Sequence, residues 1–337
     1  MGVAVSNLDF EYEWAARQMG RGWRAPSAVR KVTRRWSHVM RIVAPEAEVW
    51  SWPEAEELAP GEGSAVAVWG WTPAVVEALE AKGVSFKAPP LEVVGEVNDK
   101  CFSHGVEKAL EMALEGACLV SDEAQCQEAA KVMAGPWVLK HPWGVAGRQQ
   151  RRGEGAVPEE VLRWAARWWA QGGQMVMEPR VDIEEEWSLH FQVGDTGIEE
   201  VGQARLLCDG RGTFRGVEVG ELRVDGEALE GARRAAEMVA ERGYRGPLGI
   251  DGMKGWVGQE RVVRAVTEIN ARWSFGRLGL ELRRRLGRGR AVMGWLHPPR
   301  GTRPSREGLE RLPQEVDPEG RSGSWLYWSD SPSSGAG

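Results

Sequence analysis

The stretch Gly243–Gly276, GYRGPLGIDGMKGWVGQERVVRAVTEINARWSFG, constrains the chain most. Leu248–Met253 is an apolar run with one acid, Asp251. Lys254–Gln259 supplies glycine-rich turn chemistry, and Glu260–Asn270 is β-branched and long enough for a strand. Two neighbouring strands are therefore expected. Strand side chains alternate with period two, so Glu268 and Asn270 share a face, and Arg272 joins them if the strand continues. With the hairpin paired in register, Asp251 faces the same space. Two carboxylates, a carboxamide oxygen and a guanidinium then crowd a small volume, and the repelling acids need a compensating charge. Hard oxygen ligands suit Mg²⁺, especially when phosphates complete the octahedron. The same spacing also admits a solvated hairpin end with ordinary surface ion pairs.

Around this stretch, 337 residues allow two or three lobes with a substantial core. The net charge of -6, from 43 basic and 49 acidic residues, argues against general nucleic-acid binding. Cys101, Cys118, Cys126 and Cys208 are scattered with no CxxC, which predicts neither a zinc site nor a disulfide framework and fits a reduced, cytoplasmic setting. There is no apolar run of membrane-spanning length and no signal-type N-terminus. Tryptophan is over-represented, 18 against 3 tyrosines and 6 phenylalanines. Core packing is the preferred reading; a display of indoles for glycans is the alternative.

In chain order, Gly2–Asn7 and Ser64–Trp71 read as buried strands, with another over Glu46–Trp52. Ser27–Ala44 is basic and reads as a solvated helix face. Thr72–Lys82 is a helix with Thr72 as cap and Pro73 in its first turn, and Val84–Phe86 a short strand. These units form a small α/β domain over 1–97. Asn98-Asp99-Lys100 opens the next region, with helices near Phe102–Leu114 and Ser121–Met133 around a short strand, Cys118–Val120. Pro136–Lys140 is an apolar strand delivering a lysine to the segment Gly144–Gly153. Backbone N–H groups of a glycine-rich turn approach phosphate oxygens closely, and a lysine adds a point charge there. It is neither a P-loop nor a dinucleotide fingerprint. Arg148, Arg151 and Arg152 are phosphate contacts or solvated charge. Glu159–Gln171 is a helix with a tryptophan stripe, and Met175–Pro179 a strand ending in Glu178 and a proline. Strands are expected over Trp187–Val193, Gln203–Leu207 and Thr213–Val219, then a helix over Glu227–Gly243. His190 reads as structural.

Taken in that order, the Lys140 strand and loop, the Glu178 strand, Asp251 and Glu268-Ile269-Asn270-Ala271-Arg272 resemble the ATP-grasp superfamily, of the carboxylate-amine or peptide ligase type. The resemblance spans roughly Asn98–Gly276. It implies an α/β fold with α+β lobes: an ATP-grasp region over 98–290, a lid over about 135–175, metal-binding strands over 248–272, and an N-terminal open α/β domain in front. Residues 291–337 are expected to be a partly disordered extension. It further implies Asp251, Glu268 and Asn270 as Mg²⁺ ligands, with Mn²⁺ as a substitute. Lys140 and Arg272 would stabilise the transferring phosphoryl group. Lys100, Gly144, Gly147 and Arg148 would contact the nucleotide, Glu178 would take the ribose hydroxyls, and Glu186 would neighbour the pocket. His141 departs from the family pattern, which often has proline after the lysine. The implied reaction joins a carboxylate, activated by ATP as an acyl phosphate, to an amine of an amino acid or peptide. A small-molecule kinase would use the same nucleotide site, and a nucleotide-binding member without catalysis is a further reading. A homodimer is the default assembly.

Overall fold

The computed structural model describes residues 2–53, 65–145, 149–209, 213–287, 291–318 and 320–331. The chain opens with β1 (Gly2–Ser6), α1 (Phe10–Gln18), α2 (Ser27–Trp36) and a 3-10 turn over Ser37–Ile42, followed by β2 (Ala47–Ser51), β3 (Val66–Val68) and α3 (Pro73–Ala81). The three strands pair in parallel in the order β2-β1-β3. Their continuous apolar runs suit a parallel sheet covered on both faces; Val3, Val5, Trp50, Val68 and Leu79 are all buried together. Thr72 caps α3 by accepting from the Val75 N–H at 3.4 Å. Val84–Phe86 is not a strand. Val84 is buried and Phe86 stacks on Trp71 at 5.4 Å, so the segment's apolar residues are satisfied without a ladder.

Next come α4 (Leu91–Val97) and α5 (Lys100–Ala109), the latter capped by Asp99. The second layer holds β4 (Cys118–Val120), α6 (Glu123–Met133), β5 (Pro136–Lys140), β6 (Gln150–Glu154), α7 (Glu159–Trp169) and β7 (Met175–Pro179), with strand order β4-β7-β5-β6. On α7 the buried residues are Val161, Leu162, Ala165 and Trp168, a helical stripe facing the sheet.

The third layer is one eight-stranded sheet, in the order β12-β11-β8-β9-β10-β13-β15-β14. It comprises β8 (Asp182–Val193), β9 (Ile198–Cys208), β10 (Phe214–Gly220), β11 (Gly246–Val257), β12 (Glu260–Asn270), β13 (Val292–Leu296), β14 (Glu310–Arg311) and β15 (Trp325–Ser329), packed with α8 (Gly226–Glu241) and α9 (Phe275–Leu286). Two expectations change here. Lys254–Val257 belongs to β11 rather than to the turn, which is reduced to Gly258 (φ +60°) and Gln259. Gly255 is needed because a Cβ there would stand 2.3 Å from the Asp182 carbonyl, not because the chain reverses. Residues 292–329 are no loose extension either: β13 sits between β10 and β15, with Val292, Met293 and Trp295 buried. A boundary at 290 would therefore cut one sheet. Residues 332–337 lie outside the described part.

The four cysteines are free. Among the described residues no helix is long and apolar enough to cross a membrane. Of the 18 tryptophans only Trp256, at 39 %, is counted among the exposed large hydrophobic residues; the excess serves packing.

Candidate active site

β11 and β12 pair with Asp251 directly opposite Glu268, and Gly249 opposite Asn270. Asn270 Nδ2 donates to Asp251 Oδ2 at 3.0 Å. Burial first, and then the like charge of Glu268, pushes the Asp251 carboxyl up to about 7. The Ser188 hydrogen bond and the Arg272 charge offset this only in part. Among the described residues no group of three or more His, Cys, Asp or Glu side chains is arranged to hold a metal. The donor set is instead two acids and an amide oxygen, which fits a hard divalent cation whose remaining positions are filled by phosphate or water.

Two lysines approach from the other layer. Lys100, at the start of α5, contacts Glu268 Oε1 at 2.8 Å and donates to the Gly144 carbonyl at 2.7 Å. Lys140, at the end of β5, contacts Glu178 Oε1 at 2.5 Å. Glu178 is only 3 % exposed. Its two oxygens also accept from Arg264 at 3.0 and 3.1 Å, and Arg264 is held on its other side by Glu107 at 2.7 and 2.6 Å. Burial alone would raise Glu178; Arg264 and then Lys140 overcome it and hold the carboxyl down at about 2. Lys140 and Arg264 take three of the acceptor positions of Glu178, which leaves little for the ribose hydroxyls the resemblance implied. Glu178 fixes Lys140 instead.

Arg272 follows β12. It forms an ion pair with Glu11 of α1 and donates to the Trp273 carbonyl at 2.9 Å. Its guanidinium lies 5.8 Å from the ring centroids of both Phe10 and Trp69. Its Nε is buried and has no partner among the described residues. Glu186, on β8, is half-buried at the same cavity. Gly144 lines the cavity too, but its N–H is spent on the His141 carbonyl at 3.1 Å rather than aimed outward. Gly147 and Arg148 lie outside the described residues. His141 packs on Trp168 at 4.4 Å; burial, and then Lys100, hold it down at about 4, so it is a neutral foot of the loop.

Lys100, Lys140, Gly144, Glu178, Glu186, Asp251, Glu268, Asn270 and Arg272 all border one cavity of about 1750 Å³. A ligand pocket is roughly 300–1,000 Å³, so this one has room for two ligands. Sequence reasoning missed the buried Glu107–Arg264 pair and the Glu11 partner of Arg272. It also missed the partners of Arg205, Glu185 at 2.7 Å and Glu218 at 3.3 Å. The one available signal was an arginine, Arg264, inside an otherwise β-branched buried strand.

No family model and no curated protein sequence matches the chain. Solved structures do. Biotin carboxylase from Campylobacter jejuni, in a β,γ-ATP complex, superposes with a TM-score of 0.56 at 13% identity, over 98% of this chain and 87% of that one. N5-carboxyaminoimidazole ribonucleotide synthetase from Thermus thermophilus gives 0.53 at 19% identity, over 98% and 94%. The biotin carboxylase domain of Hydrogenobacter thermophilus 2-oxoglutarate carboxylase, in complex with MgADP and bicarbonate, gives 0.54 at 15% identity, over 88% and 74%. The chain has the ATP-grasp fold.

Proposed function

We propose that this protein is an ATP-dependent ligase that joins a carboxylate to an amine. The observation that carries the reading is the convergence on one cavity of the opposed pair Asp251/Glu268 with Lys100, Lys140 and Arg272. Asp251, Glu268 and the Asn270 oxygen would hold Mg²⁺, which supplies charge neutralisation across the phosphates when bound. Lys140, fixed by Glu178, supplies a second positive charge to the phosphates, and Lys100 a third. Arg272 faces the transferring group. A carboxylate oxygen attacks the γ-phosphorus, the bond from that phosphorus to the ADP oxygen breaks, and an acyl phosphate forms. The amine then attacks the carbonyl carbon, the C–O bond to phosphate breaks, and the ammonium proton passes to solvent. No side chain of the protein is covalently modified. Amino acids or peptides are the proposed substrates, with one bond formed per ADP and phosphate released.

The test is calorimetric titration with a non-hydrolysable ATP analogue, with and without Mg²⁺, on the wild type and Glu268→Ala. Mg²⁺-dependent binding weakened at least tenfold in the variant is the expected result. Folded wild type that binds no nucleotide would sink the reading. A condensed product of two substrates with one ADP supports a ligase; a stable phosphorylated substrate replaces it with a kinase.

A further inference from the structure

The end of the cavity away from Lys140 has a different chemistry. Its wall is α2, which carries Ala28, Val29, Val32 and Trp36 along one stripe, with Arg30, Lys31 and Arg34 off it. An apolar helix stripe normally faces a core. Here Thr33 is the one buried residue of the helix, and Val32 stays 52 % exposed at the cavity. The stripe thus faces open space continuous with the metal end.

An aromatic wall begins beside Arg272 and runs to α2. Trp69 lies 5.8 Å from that guanidinium, and Phe275 is 5.6 Å from Trp69. Phe275 in turn meets Phe214 at 5.6 Å and Trp36 at 5.4 Å, and Trp36 meets His297 at 4.8 Å. Burial, and then Arg35, hold His297 down at about 3, so it joins the wall as a neutral ring. Of the cations here, Arg215 bonds Asp209 at 2.6 Å, Arg35 donates to the Ser322 carbonyl, and Arg306 lies over the Tyr327 ring at 3.6 Å. A flat apolar body suits rings that offer faces and edges.

Resting on the ligase reading, we propose that this end of the cavity binds the carboxylate substrate. That substrate carries an aromatic body, packed against the α2 stripe and the aromatic wall, with its carboxylate at Arg272. Aromatic amino acids and aryl- or indolyl-acetic acids are the class.

The experiment titrates the full chain, with Mg²⁺ and β,γ-methylene-ATP, against L-tryptophan, phenylacetate, acetate, L-alanine and 2-phenylethylamine. L-Tryptophan and phenylacetate are expected to bind at least tenfold more tightly than L-alanine and acetate. Trp36→Ala should remove that preference. Val32→Glu, at an exposed position with little folding cost, should weaken phenylacetate by a similar factor, with melting curves checking that both variants fold. Equal binding of acetate and phenylacetate overturns the proposal, and so does 2-phenylethylamine binding in place of phenylacetate. Nucleotide binding with no aromatic acid bound overturns it while leaving the ligase reading standing. Aromatic acid binding with no nucleotide bound keeps the aromatic site and sinks the ligase reading.

Discussion

Asp251 carries opposite consequences for stability and for ligand binding. Its folded carboxyl, at about 7, lies above the unfolded value near 3.8, so between those values the native state holds more protons than the unfolded chain. Stability attached to this group therefore falls as pH rises through that window. Cation binding needs the carboxylate and should strengthen over the upper part of the same window. Asp251→Asn is expected to melt higher than wild type at pH 8, by roughly 2–4 °C per kcal/mol relieved, and equally below pH 4, while losing Mg²⁺-dependent nucleotide binding. Thermal melts across pH check this. Glu178 has the reverse sign. Its folded value of about 2 lies below the ordinary 4.5, so its contribution is full above 4.5 and is lost as pH falls toward 2. Arg264 is the partner that matters most. Arg264→Met leaves Glu107 and Glu178 buried without it, a loss of about 3–5 kcal/mol. Urea denaturation should also show that adding Glu107→Leu recovers a large part of that loss, because the stranded charge is removed together with its partner.

At the scale of elements, β13 decides how much chain the sheet needs. It hydrogen-bonds β10 on one side and β15 on the other, and it buries Met293 and Trp295. Ending the chain at 290 would strip β10 of one of its two neighbours and leave an apolar strand edge open. The expected outcome is aggregation and no cooperative melting transition, read by circular dichroism and size exclusion; a folded, soluble product would contradict it. The α2 helix shows the complementary case. Its basic side chains suggested a solvated face, yet its apolar stripe lines the cavity, because amphipathic helices present both faces and sequence does not say which one meets the site.

At the scale of the whole molecule, the three layers enclose a cavity to which each contributes: Glu11 and Trp36 from the first, Lys140 from the second, and Asp251 and Glu268 from the third. The tryptophans pack these layers rather than coat them, since only Trp256 counts as exposed. Iodide should quench a minor fraction of the native tryptophan emission, rising to most of it in urea. Extensive quenching of the native protein would revive a glycan-binding display of indoles.

Local order was legible wherever a short-range rule governs it. Period-two alternation put Glu268 and Asn270 on one face, an apolar run delivered Lys140, and Thr72 with Pro73 marked a helix start; each rests on residues a few positions apart. The two-residue turn alone would set Asp251 opposite Val266; an irregularity between Asp251 and Met253 shifts the ladder by two residues, which keeps the face and brings Asp251 opposite Glu268. The same rules misjudged Val84–Phe86 and the length of β11, where burial and a close backbone approach outweighed local preference. Tertiary structure alone decided which charge compensates which. Glu107 and Arg264 are 157 residues apart, Glu178 and Arg264 are 86 apart, and Glu11 reaches Arg272 from the other end of the chain. Such pairs form because an ion taken out of water must find its counter-ion wherever folding brings one. Glu178 could therefore be identified as important from its place on a strand, but that its carboxylate serves Lys140 and Arg264 follows only from the packing of three layers.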